Sequence, residues 1–269
     1  MLELLKNFED TKSMAFLKGK GMRLIVYFTM WLGSVVLFPL GGVFGEIAAP
    51  AQTPMPVKNL PDIVLGDAHA PLTITMYFAP TCNHCADYEQ TILPEIRKDF
   101  IESGKVRFIM RLLPFHRLDY TVAKLIWSRG EDKIFENIQL FLSHQKDWLE
   151  PALEEEKERK KQLKEKIAEL CEEMGKNSQE LMQDLFMDFG DEDAFLKLFA
   201  LKNGFSLTAI HKATEENPPF EEALTANHLQ ASKDFGKSLE FVPAFLLNNV
   251  KQEGWVRPKQ IRKALKKIS

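Results

Sequence analysis

Residues 73–96 read "TITMYFAPTCNHCADYEQTILPEI": an apolar run, two cysteines and then a helix-like stretch. The run belongs to a predicted buried strand over Pro71–Phe78, because β-branched and aromatic side chains favour strands. Residues 86–103 predict a helix, which Pro94 should kink, since proline removes a hydrogen bond from a helix interior. A cysteine pair placed between a buried strand and a helix is typical of a redox-active dithiol.

The spacing of the two cysteines assigns them different roles. The first turn of a helix offers unpaired N–H groups and a partial positive charge, which stabilise a thiolate. Cys82 is therefore the predicted exposed thiol with the lower pKa, and Cys85, one turn further, its buried partner. An inert structural disulfide is the alternative, but so short a loop restrains little chain.

His84 lies between the two cysteines. Its imidazole is expected to donate to the Cys82 thiolate, which favours the reduced form and makes the disulfide a stronger oxidant. The alternative is a surface histidine without influence on the pair.

Composition excludes several classes of protein. The chain has 269 residues, 45% of them apolar, and a net charge of -3 without a basic block, so a large core is expected and nucleic acid is not. Three cysteines are too few for a disulfide scaffold or a four-cysteine zinc site. The third, Cys171, is interpreted as a small apolar residue on a helix, with an intermolecular disulfide or a substrate thiol as the alternatives.

The N-terminus predicts export. Leu24–Gly45 carries no charge, is long enough to span a bilayer, and follows the basic residues Lys18, Lys20 and Arg23. Residues 1–45 are therefore expected to be a cleaved signal peptide or an uncleaved membrane anchor, with a buried core helix as the alternative. Residues 46–60 predict an extended linker. Export places the cysteine pair in an oxidising compartment.

The remaining chain predicts a layered α/β unit with a helical block in its middle. A second strand is expected over Lys105–Phe115, helices fill 118–236, a strand follows at Ser238–Asn249, and residues 254–268 form a last helix. The highly charged stretch 150–176 keeps one narrow apolar seam, at Leu163, Ile167, Leu170 and Met174. The seam packs on the helical block itself or, alternatively, on a partner helix.

Pro243 interrupts the apolar pattern of the last predicted strand. A proline there indicates a strand start or an unusual backbone geometry, and a cis X-Pro bond usually marks a tight turn. Beside Cys82, such a loop would expose backbone groups to an extended substrate, as in strand addition. A trans proline at a sheet edge is the alternative.

Five segments of the chain resemble the DsbA-like thioredoxin-fold oxidoreductases. They are "HAPLTITMYFAPTC", "CNHCADYEQTILPEI", "FIMRLLPFH" with "FENIQLFLSHQKDW", and "EFVPAFLLNN". The resemblance implies a thioredoxin fold interrupted by an inserted all-helical domain. It assigns residues 61–117 and 237–269 to the two parts of the thioredoxin domain and 118–236 to the insertion.

The same resemblance implies roles for individual residues. Cys82 matches the nucleophile, Cys85 the resolving thiol, and Pro243 the cis-proline, with Val242 before it in the substrate loop. Such proteins oxidise or shuffle disulfides in reduced exported proteins, without a cofactor, and an integral membrane partner often reoxidises them. Two departures from the family pattern bear on the reduction potential. Met76 stands where many relatives carry an acidic residue, and Asn83 replaces a proline often found at its position.

The leading hypothesis is therefore a periplasmic thiol:disulfide oxidoreductase that forms disulfides. Isomerase or reductase action is the nearest alternative, although Val242 favours an oxidase by resemblance. A copper or zinc chaperone using Cys82, His84 and Cys85 is a second alternative. A non-enzymatic interaction protein that uses the charged helix is a third.

Overall fold

The computed structural model describes residues 60–151, 154–175, 185 and 193–268. The predicted signal peptide or anchor, all but the last residue of the linker, and part of the helical block around 176–192 lie outside these residues. Along the ranges that are described, no helix combines the length and apolarity needed to cross a bilayer.

The centre of the molecule is a five-stranded sheet in the order β1-β3-β2-β4-β5. Its strands are β1 (Ile63–Leu65), β2 (Leu72–Phe78), β3 (Val106–Leu112), β4 (Ala244–Leu247) and β5 (Val250–Gln252). Strands β2 and β3 are parallel, whereas β4 runs antiparallel to β2. The C-terminal ends of β2 and β3 therefore meet the N-terminal end of β4 at one edge of the sheet.

The helices between and after these strands follow the predicted order. They are α1 (Asn83–Thr91), α2 (Leu93–Ile96), α3 (Arg117–Trp127), α4 (Ile134–Ser143), α5 (Gln145–Leu149), α6 (Glu156–Met174), α7 (Ala194–Lys202), α8 (Leu207–Thr214), α9 (Pro218–Phe235) and α10 (Pro258–Leu265). A thioredoxin fold with an inserted helical domain, the predicted fold class, is confirmed.

The first helix breaks where Pro94 predicts a kink. Helix α1 ends before Ile92, α2 begins at Leu93 with Pro94 in its first turn, and a π-helical turn over Arg97–Ile101 follows. A second break separates α4 from α5 at His144, whose φ of -110° and ψ of 24° are not helical. The stretch 134–149 therefore forms two helices rather than one continuous helix.

Two predicted strands are shorter than expected, and two strands escaped prediction. The segment Ser238–Asn249 forms a strand only from Ala244, because Pro243 cannot donate to the sheet. The predicted strand to Phe115 ends at Leu112. Strands β1 and β5 have three residues each, too few for periodicity to reveal.

The core lies on the face of the sheet that α1 covers. Ile74, Met76 and Phe78 of β2 point into it, as do Phe108 and Met110 of β3. Tyr88 of α1 stacks on Phe245 of β4, with ring centroids 4.7 Å apart, and its hydroxyl donates to the carbonyl of Val256 at 2.9 Å. Helix α1, and the cysteines at its start, are thereby held against the sheet.

The charged helix α6 packs on its own helical domain. Leu163, Ile167 and Leu170 of its seam are buried, and Cys171 is buried beside them. Met174, the last seam residue predicted, is instead 40% exposed. The expectation that this helix packs on the helical block rather than on a partner helix is therefore favoured.

Candidate active site

Three separate segments of the chain meet at the edge where β2 and β3 end. Residues 79–82 leave β2, residues 113–116 leave β3, and Val242 and Pro243 precede β4. Ala244 pairs with Tyr77 of β2, so the loop before it lies beside the start of α1. The pairing of β4 with β2 fixes this meeting point. The two strands lie far apart in the sequence, so the sequence pattern does not indicate that they pair.

Cys82 occupies the N-cap of α1, with extended φ and ψ of -84° and 114°. Its thiol is partly exposed and donates to the carbonyl oxygen of Val242 at 3.1 Å. The peptide bond between Val242 and Pro243 is cis. The predicted nucleophile and the predicted proline loop are thus in direct contact.

The two thiols of this pair differ sharply in their surroundings. Cys85 is fully buried, whereas Cys82 is accessible, and both are reduced. The hydrogen bond from the Cys85 thiol lowers the pKa of Cys82 to about 7, against the opposing effect of burial. The backbone N–H groups of Cys85 and His84 and the charge of His84 add to this lowering. Burial, followed by the hydrogen bond to Cys82, raises the pKa of Cys85 well above its usual range.

His84 lies on the solvent side of the site. Its side chain is 75% exposed, its Nδ1 lies 3.8 Å from Asp87, and its ring contacts Trp255 edge-on at 6.5 Å. The charge of the imidazole therefore lowers the pKa of Cys82 through space, in addition to the effect of the backbone N–H groups at the start of α1.

Two side chains of the helical domain form hydrogen bonds with the loop that precedes Cys82. The Gln145 amide donates to the carbonyl of Pro80 at 2.6 Å, and the Thr81 N–H donates to Asp119 Oδ1 at 2.9 Å. Asp119 Oδ2 accepts from the backbone N–H groups of Phe115 and His116 at 2.9 and 3.0 Å. Sequence reasoning missed Asp119 and Gln145, although Asp119 stands at the third position of α3, where acidic residues cap.

Exposed aromatic rings lie on two of the segments that meet at Cys82. Phe241, directly before Val242, is 80% exposed, and Phe115 is 38% exposed and contacts the ring of His228. Met76, where a carboxylate was expected by resemblance, is fully buried between Met110 and Phe245. The site therefore combines a reactive sulfur, an open backbone loop and exposed aromatic rings.

A metal site finds no geometric support among the residues that the structure places. There, no three side chains of His, Cys, Asp or Glu gather into a group that could hold an ion, and Cys82, Cys85 and His84 do not do so either. The exposed His84 ring lies against Trp255 and Asp87 instead.

Comparison with known proteins agrees with this geometry. A family model described as thioredoxin matches residues 58–267. A Rickettsia conorii protein, provisionally named a protein-disulfide oxidoreductase, is 34% identical over 86 residues, 32% of this chain and 31% of its own length. Disulfide bond formation protein D of Bacillus subtilis is 30% identical over 105 residues, 36% of this chain and 46% of its own length. The chain thus spans less than half the length of these relatives.

Solved structures show the same fold. Wolbachia pipientis alpha-DsbA1 is 18% identical, with a TM-score of 0.53, and the match covers 78% of this chain and 92% of that one. A protein-disulfide isomerase of Novosphingobium aromaticivorans is 17% identical, with a TM-score of 0.56, and the match covers 78% of this chain and all of that one. The resemblance to DsbA-like proteins is confirmed at the level of the fold.

Proposed function

This chain belongs to the thioredoxin family, and we propose that it forms disulfides in exported proteins by thiol–disulfide exchange at Cys82 and Cys85. The observation that carries the proposal is the asymmetry of the pair. Cys82 is accessible with a pKa of about 7, and Cys85 is buried with a raised pKa. A low pKa makes Cys82 a good leaving group and a stable thiolate.

The reaction begins from the Cys82–Cys85 disulfide. A substrate thiolate attacks the Cys82 sulfur, so a mixed disulfide forms and Cys85 leaves and takes up a proton, consistent with its raised pKa. A second substrate thiolate then attacks the substrate sulfur of the mixed disulfide and releases the Cys82 thiolate. Two electrons pass from the substrate dithiol to the chain, and the substrate gains a disulfide.

The loop at Val242 supplies the binding surface for the substrate in this proposal. Its backbone lies within hydrogen-bond distance of Cys82, so an extended peptide that pairs with it would bring its own cysteine to the reactive sulfur. Phe241 is exposed next to this loop and offers an apolar contact. The proposed substrates are reduced, unfolded or folding exported proteins.

Export and reoxidation complete the proposal. Residues 1–45 act as a signal peptide or anchor, residues 61–117 and 237–269 build the thioredoxin domain, and 118–236 are the insertion. The chain works in the periplasm, where an integral membrane partner accepts two electrons from the dithiol and restores the disulfide.

The test is oxidation of a reduced peptide with two cysteines by the purified, oxidised chain. We expect one peptide disulfide per chain without a reoxidant, and no oxidation by Cys82→Ser. Cys171→Ala, which alters a buried thiol in the helical domain, is the control and should keep the activity. Activity that survives Cys82→Ser would refute the proposal.

The reduction potential separates an oxidase from its relatives of the same fold. A potential of about -120 mV, as in DsbA, favours an oxidase, and one of about -270 mV, as in thioredoxin, favours a reductase. Reactivation of a substrate with scrambled disulfides by the reduced chain would instead indicate an isomerase.

A further inference from the structure

A carboxylate from the helical domain lies completely buried beside the dithiol. Asp119, in the first turn of α3, has no exposed surface, and its two oxygens accept three backbone N–H groups. Among the described residues no cation forms an ion pair with Asp119. The three N–H groups satisfy both oxygens of this carboxylate, and the N-terminal end of a helix favours a negative side chain.

The partners of Asp119 connect it to the reactive cysteine. One of its oxygens binds the N–H of Thr81, the residue directly before Cys82. The other binds Phe115 and His116, where the chain leaves β3 and enters the helical domain. One side chain therefore joins the loop before the nucleophile to the first helix of the insertion.

The charge of Asp119 also acts on the dithiol. Its negative charge contributes to the raised pKa of Cys85, after burial and the interactions with Cys82. A fixed negative charge near two thiols opposes a second negative charge on the buried one. The proton of the singly ionised pair thus remains on Cys85, where it donates to the Cys82 thiolate.

We propose that Asp119 is a positioning residue of the dithiol: it joins the backbone before Cys82 to the first helix of the insertion and places a buried negative charge beside the pair. The core strand carries Met76 in place of an acidic side chain, so this charge comes from the inserted domain. The inference rests on the proposed role of Cys82 and Cys85 as the reactive pair.

The test titrates Cys85 by thiolate absorbance in the reduced chain, in a Cys82→Ser background that leaves Cys85 as the remaining thiol of the pair. Adding Asp119→Asn should move this titration to lower pH by less than about one unit, because the charge of Asp119 is the smallest of the contributions to the raised pKa of Cys85.

Gln145→Met is the matched control. It removes the hydrogen bond to Pro80 on the same loop without changing any charge, so the Cys85 titration should not move. If Gln145→Met and Asp119→Asn shift the titration equally, the effect is loop packing alone, and the proposal is overturned. Neither measurement involves a substrate, so a failure here is distinguishable from a failure of the proposed disulfide formation.

A measurement on the unaltered chain covers the case in which Asp119→Asn does not fold. The carbon resonance of the Asp119 carboxylate should differ between the disulfide and dithiol forms, and in the dithiol it should follow the titration of Cys82 near pH 7. A resonance that is identical in both forms and constant through that titration would overturn the proposal.

Discussion

The sulfur of Cys82 lies 3.1 Å from the carbonyl oxygen of Val242, a residue 160 positions further along the chain. The contact joins the start of α1 to the loop before β4, and so joins the reactive thiol to the backbone on which an extended substrate would pair. Because the thiol donates to this carbonyl, the loop is within reach of any group bonded to the sulfur.

Cys85→Ser should trap the mixed disulfide. The nucleophile Cys82 remains accessible in this variant, but the thiol that would resolve the intermediate from within the chain is gone. We expect the purified variant to accumulate a covalent adduct with a peptide that carries one activated disulfide, visible by mass spectrometry and released by reductant. The doubly changed chain Cys82→Ser, Cys85→Ser should form none, and an adduct there would contradict the assignment.

Alkylation of the reduced chain should report the thiolate of Cys82. The pKa of this thiol is lowered to about 7, so the rate of reaction with iodoacetamide should rise with pH through a midpoint near 7 and level off above it. Below the midpoint most of the thiol is protonated, so its reaction with iodoacetamide is slow. A midpoint near that of an ordinary thiol, about 8.5, would disagree with the geometry of the helix start.

His84→Ala should raise this midpoint only slightly. The charge of His84 is the smallest of the contributions to the lowered pKa, and the hydrogen bond from Cys85 is the largest. We expect the glutathione equilibrium to move toward the disulfide by less than about tenfold. His211→Ala, in the helical domain, is the control. A larger effect of His84→Ala would mean that the imidazole, rather than the cysteine pair and backbone, dominates the pKa of Cys82.

Glu89→Gln should stabilise the fold at neutral pH. Burial raises the pKa of Glu89 despite the hydrogen bond from Gln139 at 3.0 Å, and its Oε2 is buried without a partner. A carboxyl whose folded pKa exceeds its unfolded pKa favours the native state when protonated, and this benefit is lost as pH rises through the interval between the two values. We expect the variant to gain about 1 kcal/mol in free energy of unfolding at pH 7.

This gain should vanish below about pH 4, where the carboxyl is protonated in both states. Urea unfolding at the two pH values is the measurement. Glu136→Gln serves as the control, because Lys133 lowers the pKa of the exposed Glu136, and its replacement should bring no gain. A gain for Glu89→Gln of equal size at both pH values would point to packing instead of ionisation.

Phe241→Ala should weaken substrate binding without weakening the fold. The phenyl ring is 80% exposed, so its loss removes little from the core, but it flanks the loop at Val242. A bound peptide that covers part of such a ring gains about 1 kcal/mol of binding free energy. Loss of the ring should therefore raise KM for an apolar cysteine peptide about fivefold, with kcat retained. Val250→Ala, at an exposed apolar residue of β5, should change neither constant. An unchanged KM for Phe241→Ala would remove this ring from the binding surface.

Local features of the site were predictable because they depend on neighbours in the chain. The strand before Cys82 and the helix after it follow from residue preferences over a few positions. The break near Pro94 follows from one residue. The assignment of residues near 243 to the site rested on the resemblance to DsbA-like proteins, because local residue patterns do not indicate which distant segments meet.

Residue preferences along the chain thus predicted three of the five strands, the helical block between them and a cysteine pair at a strand–helix junction. Which distant groups act on that pair depends on how these elements pack in three dimensions. The antiparallel pairing of β4 with β2 brings Val242 to Cys82, and the packing of α3 against the end of β2 brings Asp119 to Thr81. Hydrogen bonds act over a few ångströms in space, so the chain order alone does not reveal the contacts of Cys82 with Val242 and of Thr81 with Asp119, whereas the lowered pKa of Cys82 depends mainly on Cys85 three residues away.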